Sequence, residues 1–205
     1  MTSHRPALSL VLAAALALLA ACDKPSEGVV RNGVRFPADT EITTALAANF
    51  ATDPNTAQAR TLLATLGGEK GQLDYSVRDV VARNGTFEAH YDVGLRLGQS
   101  GAESLHKLYA GMVPQAERQQ LAGQDLAAHE RWLAAQAQAL EKADPAQAQA
   151  LRSTVETMGK CYRGAKAGER VPLMEGLVVS LAPSRNGWYA EKIASPGTVL
   201  RCLPV

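Results

Sequence analysis

Apolar and polar positions alternate with a period of two over residues 72–97, the clearest structural signal in the chain. Leu73, Tyr75, Val77 and Val81 alternate with polar neighbours, and Phe87, Ala89, Tyr91, Val93, Leu95 and Leu97 do the same. That period predicts two half-buried antiparallel strands, with Arg83-Asn84-Gly85 as the turn. A two-residue Asn-Gly loop would pair Val81 with Glu88 and so oppose an apolar position to a polar one. A three-residue loop, with Gly85 left-handed in a bulge, pairs Ala82 with Thr86. It places Val81 opposite Phe87, Val77 opposite Tyr91 and Leu73 opposite Leu95, and the side-chain period selects it.

Elsewhere the period is mostly helical. Residues 29–36 read as a small hairpin ended by Pro37, and a first helix is expected from Thr40 to Ala48. Asp53-Pro54 is a helix cap followed by proline at the first helical position, and Gly67-Gly68 stops that helix, whose apolar side is Leu62, Leu63 and Leu66. Ser100 and Glu103 have the spacing of a capping box that opens a helix through Leu105, Leu108 and Met112. Pro114 starts a long helix to about Ala143, and Asp144-Pro145 starts its partner, which carries Leu151, Val155, Met158 and Tyr162. Leu126, Leu133 and Leu140 lie a heptad apart, which predicts an antiparallel helical hairpin over residues 114–163 with a leucine seam. Ala128, Trp132, Ala135 and Ala139 make a second stripe, small enough for close approach to a sheet.

From Gly176 the period of two returns. Gly176 to Leu181, Trp188 to Ile193 and Thr198 to Leu203 read as a three-stranded meander, turned at Arg185-Asn186-Gly187 and Ser195-Pro196-Gly197. Arg-Asn-Gly occurs three times, but its flanks do not align, so it is a reused turn and not a repeat. The expected fold is α+β: an antiparallel sheet, made of the hairpin 72–97 and the meander 176–203, packed with the helical hairpin 114–163.

The amino terminus carries an address. Behind Arg5, the apolar run from Ala7 to Ala20 is too short to span roughly 30 Å of hydrocarbon as a helix. A positive residue, an apolar stretch and small residues before a cut site read as a signal peptide. Leu19-Ala20-Ala21-Cys22 resembles the lipobox of bacterial lipoproteins. The resemblance implies that a diacylglycerol is attached to the Cys22 thiol, that residues 1–21 are removed and that the new amino group is acylated. One acyl chain anchors only marginally, whereas the three implied here hold a protein permanently. Asp23 resembles the inner-membrane retention signal of enterobacterial lipoproteins, which places the protein on the periplasmic face of the inner membrane in preference to the outer. Pro25, Ser26 and Gly28 make residues 22–28 a lipidated tether of about 20 Å. Residues 29–205 are then expected to be a single periplasmic domain.

Charge and cysteine usage agree with this address. Of 21 basic residues one, Arg5, lies in the leader, so the remainder balances 20 acidic residues. A neutral body with no basic block gives no reason to expect nucleic acid. With Cys22 committed to lipid, Cys161 and Cys202 remain as an even pair in an oxidising compartment. A structural disulfide is expected; two buried thiols or a redox pair are the alternatives, although no Cys-x-x-Cys spacing is present.

Catalytic signatures are sparse. Gly98-Gln99-Ser100-Gly101 misses a nucleophile elbow by one position, and there is no phosphate-binding glycine loop and no His-Glu-x-x-His. Glu88, His90 and Asp92 share the outward face of one strand, and the bulged register sets Arg78 opposite His90 and Ser76 opposite Asp92. Three uses compete for this face: acid–base or metal chemistry at His90, partner binding by Arg78, Glu88, His90 and Asp92, or a solvated surface laced with ion pairs. Asp125 and His129 stand one helical turn apart beside Glu130, which suits a stabilising pair better than a metal site lacking a third ligand. Trp132 and Trp188 read as core anchors. The sequence therefore points to a non-catalytic protein with no metal or cofactor, held to the membrane by lipid. The expected role is that of an immunity or inhibitor protein that captures a toxin or lytic enzyme. Lysozyme-inhibitor lipoproteins carry Ser-Gly-x-x-Tyr motifs that this chain lacks, so the role rests on analogy. The alternatives are a structural accessory of an envelope secretion or assembly complex, docking through its helical hairpin, and a hydrolase or metal-dependent enzyme using His90.

Overall fold

The structure, a computed structural model, describes residue 28 and residues 30–31, 33–185 and 187–204. The leader, Cys22 and the tether up to residue 27 lie outside the described residues, as do Asn186 and Val205. Two short strands, β1 (Val30–Arg31) and β2 (Val34–Arg35), form the small hairpin. α1 (Asp39–Thr52) runs four residues beyond the expected end. Its first turn is closed by the Glu41 carboxylate, which accepts from the Ala38 N–H at 2.8 Å and pairs with Arg35 at 2.8 Å. Asp53 then accepts from the Asn55 N–H at 2.9 Å. That bond opens a single 3₁₀ turn, Pro54–Thr56, which leads into α2 (Ala57–Gly67).

β3 (Gln72–Arg83) and β4 (Thr86–Arg96) form the long hairpin, but its register corrects the expected one. Asn84 and Gly85 have φ of 50° and 81°, the two left-handed residues of a two-residue turn, so Arg83 pairs with Thr86 and Val81 with Glu88. The bulge falls instead between Val77 and Asp79. Beyond it Val77 faces Tyr91 and Leu73 faces Leu95, as the side-chain period requires. Turn chemistry wins at the tip, burial wins further on, and Arg78 is the extra residue that reconciles them. Val80 thereby turns to the core, while Val81 is 38% exposed.

α3 (Gly101–Met112) opens on the expected capping box: the Glu103 N–H donates to the Ser100 hydroxyl at 3.3 Å, and the Ser100 N–H to the Glu103 carboxylate at 2.9 Å. The long helix expected from Pro114 is broken. Four residues form α4 (Arg118–Leu121), Gly123 takes a left-handed φ of 72°, and Asp125 caps α5 (Leu126–Leu140) by accepting from the Ala128 N–H at 2.8 Å. Asp144 caps α6 (Pro145–Tyr162) in the same way, through the Gln147 N–H at 2.9 Å. The helical hairpin therefore starts at residue 126. Leu133 is its buried seam residue, and Leu126 and Leu140 flank it half-buried. The second stripe does not meet a sheet: Ala135 and Ala139 are exposed, because α5 packs on α3 and α6.

β5 (Arg170–Ser184), β6 (Gly187–Lys192) and β7 (Val199–Leu200) complete the sheet, with hydrogen-bonded order β3-β4-β5-β6 and β7 also on β5. The expected meander is thus corrected, because β6 and β7 are two pieces of one interrupted edge. Between them the Ser195 hydroxyl accepts from the Val178 N–H at 2.9 Å, standing in for a ladder bond. Gly176, at φ 72° and donating its N–H to the Asp92 carboxylate, lets the Gly197 carbonyl come within 2.8 Å of where a Cβ would lie.

The architecture is α+β. α1, about 21 Å long at 1.5 Å per residue, crosses the inner face of the sheet and reaches both outer strands, β3 and β6. α2 packs on α3, and α3 on α5 and α6. One core joins Ile42, Leu66, Leu105, Tyr109, Met158 and Tyr162 from the helices to Phe87, Tyr91, Leu95, Leu173 and Leu181 from the sheet. Cys161 and Cys202 are disulfide-bonded, with Cα atoms 5.7 Å apart, and the Tyr162 hydroxyl donates to the Cys202 carbonyl at 3.2 Å. The last turn of α6 is thereby tied to the residues that follow β7.

Candidate functional site

The outer face of the sheet carries the residues singled out in the sequence. Along β4 the odd positions Phe87, Ala89, Tyr91, Val93 and Leu95 are buried against the helices, so Glu88, His90 and Asp92 point the other way and are half-buried. Asp79, not Arg78, lies opposite His90, because Arg78 occupies the bulge; Ser76 does lie opposite Asp92. The structure brings Arg78 and Asp92 together as an ion pair. The other Asp92 oxygen accepts from the Gly176 N–H at 2.9 Å, and its side chain is only 13% exposed beneath the guanidinium. Glu88 sits 3.5 Å from Arg83. Asp74 takes Arg96 and, at 3.6 Å, Arg170, which also donates to the Ser76 hydroxyl at 3.2 Å.

Three carboxylates on this face are therefore committed to arginines. Among the described residues the His90 side chain makes no hydrogen bond or ion pair, although it lies between Glu88 and Asp92 along the strand. Among the described residues no three His, Cys, Asp or Glu side chains are grouped to hold a metal ion. Chemically, the face offers fixed charges of both signs in a set register, with the imidazole free at its centre.

Asp125 and His129 are not a side-chain pair. The Asp125 carboxylate is spent on the α5 cap, and His129 Nδ1 lies 2.9 Å from the Asp125 carbonyl, which fixes that nitrogen as the proton carrier. His129 is buried, and the His106 ring meets it edge-on at 4.8 Å. Trp132 donates to Glu117 at 2.8 Å, and Trp188 packs edge-on against Phe87 at 5.4 Å; both are half-buried.

On the inner side lies a cavity of about 570 Å³ that no local sequence pattern announces. Leu46 and Phe50 of α1, and Leu62 and Leu63 of α2, form one wall. Tyr75, Tyr91 and Leu177 from the sheet form the other, and Ile193, Leu200 and Leu203 close the end. Burial pushes the Tyr75 phenol up to about 12 and raises that of Tyr91, so both remain protonated donors at neutral pH. Strand alternation showed which side chains face inward; it carries no signal of whether the layer above them is complete. No protein-family model matches the chain, and no curated protein or solved structure matches it either.

Proposed function

We propose that this chain is a lipid-anchored periplasmic protein that works by non-catalytic protein binding, and that its partner is a toxin or lytic enzyme held inactive in a stoichiometric complex. The outer face of β3, β4 and β5 carries the proposal. Its charges stand in cross-strand pairs, Arg78 with Asp92, Arg83 with Glu88, and Arg96 and Arg170 with Asp74. Side chains already held in one geometry lose little freedom on association. Four arginines interleaved with four carboxylates, counting Asp79, complement a protein surface of mixed charge and give a polyanion no continuous positive track. The Cys161–Cys202 bond adds stiffness, and the expected lipid anchor raises the local concentration of the domain where imported toxins act.

Affinity capture of the full lipidated chain from detergent-solubilised membranes tests this reading. The expected result is one soluble toxin or lytic enzyme, inactive while bound and recovered at least tenfold less by Arg78→Glu, which sets a carboxylate against Asp92. Recovery of several inner-membrane components of one machine instead would assign an accessory role. An activity or bound metal lost on His90→Ala would make the protein an enzyme.

A further inference from the structure

The cavity between α1, α2 and the inner face of the sheet is larger than ordinary packing leaves. Protein interiors contain few voids bigger than a water molecule. At about 570 Å³ this one falls in the roughly 300–1,000 Å³ range of small-molecule sites. Its walls are unfinished by the chain's own residues: Phe50, Leu62, Leu63, Leu73 and Leu177 are only half-buried although they line it.

Three features define what would complete it. Most of the lining is aliphatic or aromatic; Asn49, Thr56, Ser195 and Thr198 are its polar members and Lys192 is its one charged residue among the described residues, so the body of a ligand must be largely uncharged hydrocarbon. The cavity meets a surface depression at each of two places, sharing Asn49 and Lys192 with one and Phe50, Leu63 and Leu73 with the other. That layout suits an elongated molecule. Finally, Tyr75 and Tyr91 stand on the wall with ring centres 6.3 Å apart, and among the described residues neither hydroxyl has a hydrogen-bond partner. Neither hydroxyl is sealed from solvent, so each donor is available to a molecule that enters the cavity and displaces water. Being protonated donors, they call for an acceptor such as a carbonyl oxygen.

We propose that this cavity binds one long-chain fatty acyl group, its hydrocarbon lying along the leucine wall and its carbonyl oxygen accepting from Tyr75 or Tyr91. The acyl group enters as a free fatty acid or as the tail of a membrane lipid. The site lies on the opposite side of the sheet from the charged partner face, so the two proposals stand or fall separately.

Native mass spectrometry of the full lipidated chain tests it, with the protein held in CHAPS, which has no linear alkyl tail to compete. Sodium palmitate and 1-palmitoyl-lysophosphatidylethanolamine are added separately at low micromolar concentration. A 1:1 adduct with palmitate assigns the free acid, and one with the lysolipid assigns a membrane lipid; either supports the site. Ala59→Trp, at the exposed rim, and Leu177→Trp, inside the wall, should each cut the adduct at least tenfold while the melting midpoint stays within a few degrees. Tyr75→Phe combined with Tyr91→Phe should weaken it severalfold. Absence of a 1:1 adduct with both probes, or an adduct that persists undiminished in a folded cavity-filling variant, would overturn the proposal.

Discussion

Breaking the Cys161–Cys202 bond should cost about a quarter or more of the stability of an ordinary domain. The bond closes a loop of 41 residues, and chain entropy alone then assigns about 4 kcal/mol to the cross-link at 25 °C. Typical domains are stable by about 5–15 kcal/mol. A domain of this size loses roughly 2–4 °C of melting temperature per kcal/mol, so the reduced protein should melt about 8–16 °C lower. The loss should also be local. The Arg201 N–H donates to the Leu173 carbonyl at 2.9 Å and the Cys202 N–H to the Pro172 carbonyl at 3.2 Å, and these amides should lose exchange protection first. Urea unfolding of the wild type and of a Cys161→Ala, Cys202→Ala double variant measures the difference. The variant should also show a steeper denaturant slope, because its unfolded chain exposes more surface. A difference below about 1 kcal/mol, against the 4 expected from chain entropy, would refute the reasoning that the bond restrains the unfolded chain.

Other perturbations have equally definite signs. A Cβ at Gly101 would overlap the backbone oxygen of Tyr162, which no rotamer change can relieve, so Gly101→Ala must separate α3 from α6. It should destabilise by about 3 kcal/mol, and urea unfolding indistinguishable from wild type would contradict the packing. Asp125→Ala removes the α5 cap and should cost about 1 kcal/mol, measured by thermal melting, with Asp125→Asn largely restoring it. Glu41 is held below its ordinary 4.5 first by the Ala38 N–H and then by Arg35, and Glu103 below 4.5 by the Ser100 hydroxyl and N–H. A carboxylate lowered in the folded state stabilises fully above its unfolded value and loses that contribution as pH falls through its folded value. Stability should therefore fall below about pH 4.5, and the fall should be shallower in a Glu41→Gln, Glu103→Gln double variant followed by denaturant titration at each pH.

Helix ends were legible in the sequence where a side chain caps them. Ser100 with Glu103, and Asp144 before Pro145, specify local hydrogen bonds that need no tertiary context. The same chemistry at Asp125 was missed, because the heptad through Leu126, Leu133 and Leu140 masked a cap and a left-handed glycine just before it. The β3–β4 hairpin holds two competing rules. Asn84-Gly85 demands a two-residue turn and Leu73, Tyr75 and Val77 demand the opposite parity, and only a bulge at Arg78 satisfies both. Its position depends on where the core ends, which no local pattern states. For the candidate site the alternation of Glu88, His90 and Asp92 correctly gave a shared outward face, but the slip at Arg78 moved its partner from His90 to Asp92. The cavity was invisible for a different reason. Its residues come from the helices, the sheet and the chain end, and its volume is set by how far α1 and α2 stand off the strands.

The proposed capture of a partner depends on the domain being carried outside the cytosol on lipid, and the intact mass of the protein recovered from membranes tests this directly. The account predicts a chain that begins at Cys22 and carries the added mass of a diacylglyceryl group and an amide-linked acyl chain, with Cys22→Ser abolishing both the cleavage and the added lipid mass. An unmodified chain cut at another position, or a Cys22→Ser protein that is still cut before residue 22, would contradict it.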